Sequence, residues 1–228
     1  MFDNAFFSEF DQIRAGFVLT LWILVFSLVI STVLGTILGS FRVSPITSLR
    51  AIGTAYVTIF RNTPLVLILV LGAAVIPTLG FNDLGFSFVV YEFNTFEVMA
   101  ILGLSAYTAA FVCEAIRSGV NSVSPGQAEA ARSVGMSFTQ SLGLVVLPQA
   151  FRAVIPPLTS IYIALTKNTS VVAIVGVAEA AYVMKKLGNQ FTSDIYFIFI
   201  GVAMGYVVIV LLMSGTAAIL ERRLGVSR

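Results

Sequence analysis

Histidine is absent from this chain of 228 residues, and charged residues make up only 11% of it. Without histidine, the chain cannot use an imidazole as a general base, a metal ligand or a pH switch near neutrality. The single cysteine, Cys113, excludes an internal disulfide, and its apolar neighbours predict a buried small side chain. Soluble domains carry about 25% charged residues, so the scarcity of charge indicates a membrane protein.

Motifs for nucleotide binding and for catalysis are also missing. The sequence has no GxxxxGK[ST] pattern, and glycine is never followed by lysine. It lacks the paired intramembrane carboxylates or serine-based motif that would favour an intramembrane enzyme. We therefore expect a chain that is not an enzyme, with no catalytic residues, no metal and no cofactor of its own.

Apolar residues dominate what is present, at 58% of the sequence. A membrane-spanning helix needs roughly 20 mostly apolar residues. Five runs are long enough, and they predict spans at about 15–41, 52–79, 96–120, 158–177 and 195–220. The fold is expected to be all-α and polytopic, with residues 1–228 forming a single transmembrane domain. Gly35 and Gly39 have the spacing of small residues that lets helices pack closely.

Lys and Arg are distributed unequally between the two sets of connections. Eight lie in the first, third and C-terminal connections, whereas the opposite side has Arg14, Lys185 and Lys186. Because cytoplasmic loops are enriched in Lys and Arg, the N-terminus is predicted outside and the C-terminus in the cytoplasm. The acidic, aromatic stretch FFSEFDQI before the first span is predicted to form a short helix at the outer interface.

A polar segment from Pro125 to Pro148 interrupts the apolar runs on the predicted cytoplasmic side. Ser124 and Pro125 are suited to begin a helix, as N-cap and first helical residue. Gly135 can end that helix, and residues 137–147 read as a second helix that Leu147-Pro148 breaks. From these features alone, the segment is either an amphipathic connector or a docking site for a partner.

The spacing within this segment resembles the EAA loop of ABC-importer permeases. Glu129-Ala130-Ala131 is followed by Gly135, Val145 and Leu147-Pro148 at the family's intervals, with Val145 where the family usually has isoleucine. Three further segments resemble the polar amino-acid branch: FRNTPL from Phe60, LPQAFR from Leu147, and KNTS from Lys167. The combination is most similar to glutamate-uptake permeases of actinobacteria. Asn168 replaces the aspartate usual in the family's KDTS segment.

This resemblance implies a type I ABC-importer permease in a bacterial plasma membrane, with an EAA coupling loop at about 121–150. It implies an ATPase dimer that binds ATP and Mg, a second permease subunit (identical or different), an extracellular solute-binding protein, an amino-acid substrate and membrane lipid as partners, with no nucleic acid. The coupling contact would fall on one short helix and the glycine after it, namely Gly126, Gln127, Ala128, Glu129, Ala130, Ala131, Arg132 and Gly135. Glu129 either pairs with a basic group of the ATPase or favours its own helix N-terminus.

Arg61 and Lys167 lie within apolar spans, where a central charge costs on the order of 2.5–3.5 kcal/mol. Such cations either line a path for an anionic substrate or pair with Glu114, Glu179 or a second subunit. Tyr107 and Thr108 face either that path or a neighbouring helix. Glu179 is expected near the outer end, as either a gate or an ordinary interfacial charge. The predicted substrate path comprises cations, hydroxyls, amides and one carboxylate: Arg61, Asn62, Thr63, Glu114, Lys167, Asn168, Thr169 and Ser170.

The leading hypothesis is therefore the permease subunit of an ATP-driven importer for polar amino acids, with glutamate as the expected substrate. Asn168 removes a negative charge beside Lys167, which favours an acidic amino acid. The alternative is a self-contained secondary transporter or channel for small anionic solutes, which would give the EAA-like loop no role.

Overall fold

The computed structural model describes residues 5–81, 83–89 and 91–223. Arg228, which contributes to the charge bias, lies outside these residues. In the residues described, the regular structure is helical except for one small hairpin. The helices are α1 (Ala5–Ser8), α2 (Phe10–Val43), α3 (Thr47–Asn62), α4 (Leu65–Thr78), α5 (Thr95–Asn121), α6 (Pro125–Ser133), α7 (Phe138–Ser141), α8 (Leu147–Asn168), α9 (Ala180–Gln190) and α10 (Ile195–Arg223).

Among the described residues, four helical runs are long and apolar enough to cross a membrane. They are Phe10–Val43, Thr95–Asn121, Thr139–Val175 and Thr192–Arg223. The predicted second span is instead a broken pair, α3 and the first part of α4, which meet at an angle of 99°. Counting that pair as one span gives the five predicted from the sequence.

The fourth span begins earlier than predicted. Leu147-Pro148 does not break the helix, because a π-helix over Leu142–Val146 joins α7 directly to α8. The wider π turn comes just before Pro148, whose nitrogen has no proton to donate and which lies in the first turn of α8. Pro156 and Pro157 lie inside α8 rather than before it. Membrane helices tolerate such prolines because neighbouring groups satisfy the freed carbonyls.

Close packing of α2 on α5 forms the centre of the fold. A Cβ atom on Gly35 would lie 2.5 Å from Cβ of Val112, and one on Gly39 would lie 2.9 Å from Ile116. The predicted close approach of helices at these glycines is thereby confirmed. Cys113 is fully buried on the same face of α5, as its apolar neighbours predicted.

A two-stranded hairpin between α4 and α5 was not predicted. Strands β1 (Phe86–Phe88) and β2 (Tyr91–Phe93) are antiparallel, with Phe86 opposite Phe93 and Phe88 opposite Tyr91. Phe86, Phe88 and Phe93 make edge-to-face contacts with Phe26 of α2. The alternating aromatic residues of FSFVVYEF carry the signal for these strands.

The N-terminal segment, the hairpin and α9 gather at one end of the helix bundle. The backbone N–H of Ala5 donates to Asp194 at 2.8 Å, and Lys186 donates to Gln12 at 3.0 Å. At the opposite end, the hydroxyl of Ser141 donates to the carbonyl of Ala128 at 3.5 Å. The loops that the charge bias assigned to opposite sides of the membrane therefore lie at opposite ends of the molecule.

Candidate functional site

The first element of the candidate site is the break between α3 and α4. Thr63 has extended backbone angles (φ −96°, ψ 128°), as expected for a residue before proline. Asn62 donates to the carbonyl of Thr58 at 2.9 Å, and Thr63 donates to that of Ile59 at 2.7 Å. Both side chains thus donate to carbonyls of their own helix, close to its C-terminus.

A second break ends α8 at Asn168. The chain continues as a 3₁₀-helix over Thr169–Val175, which stops at Gly176 with φ 83°. Thr169 donates to the carbonyl of Thr166 and Ser170 to that of Lys167, both at 2.7 Å. Both breaks therefore use the same chemistry, in which hydroxyl or amide groups cap carbonyls at a helix C-terminus.

Each break carries one cation in the last turn of its helix. Arg61 and Lys167 are both exposed, and a cation is electrostatically favoured at a helix C-terminus. Within residues 5–81, 83–89 and 91–223, neither has a carboxylate within 4 Å. The two cations therefore remain available to a negatively charged group.

Residues next to the two breaks meet in one buried cluster. Leu65 and Leu69 of α4 belong to the same cluster as Leu165 of α8 and Val172 of the 3₁₀-helix. Both breaks are thus held by a common core, although they are about 100 residues apart in sequence.

A cavity of about 390 Å³ lies between α5 and α8, next to the second break. Asn168 lines it, and so do Tyr107 and Thr108, whose surroundings the sequence left open. Its wall mixes aromatic and aliphatic side chains with hydroxyl and amide groups: Tyr107, Thr108, Phe111, Ser160, Ile161, Ala164, Leu165 and Asn168. This composition is typical of a pocket for a small organic molecule.

The predicted coupling loop folds as a short helix followed by a tight turn. Helix α6 begins at Pro125 after Ser124, as predicted, but the side chain of Ser124 makes no capping hydrogen bond. Gly135 ends the turn with φ 90°. Of the eight predicted contact residues, Ala131 is buried and Ala128 is half-buried. The other six are exposed, namely Gly126, Gln127, Glu129, Ala130, Arg132 and Gly135.

Two exposed apolar side chains extend the free surface of this loop. Val134 is 75% exposed and Leu144 is 70% exposed. Glu129 lies beyond the first turn of α6, where a helix dipole has little effect. The hypothesis that Glu129 merely favours its own helix N-terminus is therefore weakened.

Comparison with known proteins matches residues 31–226 to the family described as the binding-protein-dependent transport system inner membrane component. The chain belongs to this family. It is thus a multi-pass protein of the bacterial plasma membrane, as predicted, and the match covers most of its length.

Individual relatives of the permease cover nearly the whole chain. The glutamate transport system permease protein GluC of Corynebacterium glutamicum is 37% identical over 222 residues, covering 95% of this chain and 96% of the relative. The probable glutamine ABC transporter permease protein GlnM of Bacillus subtilis is 36% identical over 218 residues, covering 96% and 95%. A crystal structure of an amino acid ABC transporter with histidines superimposes with a TM-score of 0.83 at 26% identity, covering 96% and 97%. The permease therefore has the predicted type I fold.

Glu114 of the permease lies in an ion-pair cluster with two arginines. Its carboxylate binds Arg42 at the end of α2 and lies 3.8 Å from Arg117 on its own helix. It is seven residues beyond Tyr107, or about 10 Å along α5. The hypothesis that Glu114 pairs with Arg61 or Lys167 is therefore wrong.

Glu179 is fully buried, so its interpretation as an ordinary interfacial charge is wrong, although it lies at the start of α9, at the end that the charge bias assigns to the outside. It is the N-cap of α9 and accepts from the backbone N–H groups of Ala181 and Tyr182 at 3.0 and 2.9 Å. The hydroxyl of Tyr206 in α10 donates to it at 2.6 Å, and Thr20 in α2 lies 3.4 Å away. The hydrogen-bond partners of its carboxylate are thus two backbone N–H groups and the hydroxyls of Tyr206 and Thr20. Glu179 therefore does not pair with Arg61 or Lys167.

The N-cap role of Glu179 was missed because glutamate is not among the preferred N-cap residues. The available signal was a carboxylate immediately before the helix-forming segment AAYVMKKL. Helix α9 itself was also missed, since its 11 residues are too few to register as a span.

Proposed function

We propose that this permease imports an acidic amino acid, with glutamate as the substrate, in an importer driven by two ATPase subunits. Membership of the family supports the first part of the proposal, that the chain is the permease of an ATP-driven importer. The observation that supports the substrate is a pair of cations, Arg61 and Lys167, that have no carboxylate partner among the described residues. They lie at two helix breaks that share one buried cluster.

Substrate recognition in this proposal combines charge with a pocket. Lys167 and Arg61 attract the carboxylates, because a charge-assisted hydrogen bond is about twice as strong as a neutral one. Asn168 lines the cavity without adding a negative charge. The capping groups Asn62, Thr63, Thr169 and Ser170 hold the helix ends in place. Glu114 is already bound by Arg42, so it holds α2 to α5 and does not contact the substrate.

Energy enters through the loop at about 121–150. Two ATPase subunits, which bind ATP and Mg, dock on the exposed face of α6, and their closure draws the loops of two permease subunits together. The permease chain itself hydrolyses nothing. An extracellular solute-binding protein delivers the amino acid to the opposite end of the molecule.

Uptake into proteoliposomes containing the assembled importer tests the substrate assignment. We expect wild-type uptake to prefer glutamate over glutamine and arginine. Lys167→Gln should lower glutamate uptake about tenfold, since it removes a charge-assisted hydrogen bond, and should affect glutamine uptake less. Lys185→Gln, an exposed lysine of α9, is the matched control.

A wild-type preference for arginine would overturn the proposal. So would equal losses of glutamate uptake in the Lys167 and Lys185 variants, since the effect would then not depend on the break.

A further inference from the structure

A second concave region of the permease, here called the α8 groove, lies between α2, α8 and α10. It has a volume of about 470 Å³ and an almost entirely apolar wall that includes Leu28, Phe151, Leu158, Met213 and Leu220. The cavity with Asn168 lies along α8 on residues 160, 161, 164, 165 and 168, whereas the α8 groove uses residues 151, 154, 155, 158, 159, 162 and 163. At 100° per residue, these two sets lie on different faces of α8.

Each hydroxyl group in the α8 groove already has a hydrogen-bond partner within the protein. Thr159 donates to the carbonyl of Ile155 at 3.1 Å, and Thr216 donates to that of Met213 at 2.8 Å. The hydroxyl of Tyr162 lies 2.6 Å from that of Thr32. A polar solute would therefore lose hydrogen bonds to water in the groove without gaining new ones from the protein. A hydrocarbon chain makes no hydrogen bonds to water, so its burial carries no such cost.

The length of the α8 groove matches one leaflet of a bilayer. From Phe151 to Ile163 the helix rises about 18 Å. Half of the hydrocarbon core of a bilayer is about 15 Å thick. An acyl chain that enters at the end near Phe151 and Leu220 therefore has room along the whole groove.

Two arginines stand at that end, each on the helix face that lines the α8 groove. Arg152 precedes Thr159 by seven residues in α8, and Arg223 follows Thr216 by seven residues in α10. Residues seven apart lie on the same side of a helix. Both arginines are exposed, whereas Arg222 points about 100° away from Arg223. Glu221 is in the same turn of α10 but points about 160° away from Arg223.

We propose that the α8 groove binds one acyl chain of an anionic phospholipid, whose phosphate is held by Arg152 and Arg223. In a phospholipid, a charged headgroup lies at one end of an apolar acyl chain. Arg152 and Arg223 likewise lie at one end of the apolar α8 groove. Basic sites between helices on the cytoplasmic side of a membrane bind anionic headgroups by the same electrostatics. This inference does not depend on which amino acid is carried.

Native mass spectrometry of the importer released from nanodiscs of phosphatidylglycerol and phosphatidylcholine tests the proposal. We expect retained phosphatidylglycerol to fall about fivefold in Arg152→Gln and in Arg223→Gln. Arg222→Gln is the matched control and should retain as much as wild type. Equal retention of the two lipids by wild type, or an equal loss in the Arg222 variant, would overturn the headgroup assignment.

Two further variants test the groove itself. Ala217→Phe places a ring in the α8 groove without altering either arginine, and we expect it to displace phosphatidylglycerol. Retention of the lipid by this variant would contradict the acyl-chain site. A photo-reactive benzoylphenylalanine in place of Leu158 should cross-link to lipid. A cross-linked product of twice the chain mass would show instead that a second copy of the permease occupies the groove, and would contradict the proposal.

Discussion

At the scale of single residues, Glu179 shows how a charged group is kept inside an apolar bundle. Two backbone N–H groups of α9 and the hydroxyl of Tyr206 donate to its carboxylate. Three donors would lack an acceptor if the carboxylate were removed, and each buried unsatisfied group costs about 1–3 kcal/mol. The residue therefore ties the N-terminus of α9 to α10, next to Thr20 of α2.

We predict that Glu179→Ala lowers the free energy of unfolding by about 3 kcal/mol, because it combines a lost cap with unsatisfied donors. Glu179→Gln keeps an acceptor oxygen and should cost less than half as much. Thermal unfolding of the purified permease measures both. Glu92→Ala, at an exposed position of β2, serves as the control and should leave the midpoint unchanged. Equal midpoints for the Ala variants at 179 and 92 would rule out the anchoring role.

At the scale of elements, the α3–α4 break depends on a local rule and on tertiary packing together. Pro64 pushes Thr63 out of the helical region, so the sequence alone predicts a disturbance there. The size of the bend, 99°, does not follow from the proline, because a proline kink alone can be shallow. Burial of Leu65 and Leu69 with residues of α5 and the 3₁₀-helix holds α4 in its direction.

Pro64→Ala is predicted to straighten the α3–α4 pair in part and to slow transport. Spin labels at Thr54→Cys and Leu71→Cys, both exposed, report the angle in a Cys113→Ala background. A continuous helix would separate those positions by about 25 Å along its axis, and the bent pair by less. Pro77→Ala, inside α4, is the control. An unchanged distance in the Pro64 variant would show that packing alone sets the bend.

Helix α6 gives a second prediction at this scale. Its free face carries Glu129, for which the described residues offer no ion-pair partner, so a partner protein would supply the cation. We expect Glu129→Arg to reduce co-purification of the ATPase and its stimulation by substrate. Gln127→Arg, also exposed on α6, controls for the added charge. If the complex and its stimulated ATPase survive Glu129→Arg, the coupling role of this residue is wrong.

At the scale of the whole molecule, the structure separates two ends but does not by itself orient them in a membrane. The arginine-rich connections and α6 lie at one end, and the hairpin with α9 lies at the other. Charge bias then predicts which end faces the cytoplasm, because retention of Lys and Arg on that side is the general rule.

Cysteine labelling tests this orientation in a Cys113→Ala background. Glu92→Cys should react with a membrane-impermeant maleimide in intact spheroplasts. Glu129→Cys should react only after the membrane is opened. The reverse pattern would invert the topology, and labelling of both in intact spheroplasts would show that the cells had leaked.

The sequence alone determined the membrane class, the positions of the first, third and fifth spans, the family and the start of helix α6. Each of these depends on local features, namely the length of an apolar run, a residue suited to begin a helix or a spaced motif. The partners of charged groups depended on tertiary structure, because the partners of Glu114 and Glu179 come largely from other helices. So did the straight passage through Pro148 and the gathering of two distant helix breaks around one core, since packing between helices outweighs what each segment prefers on its own.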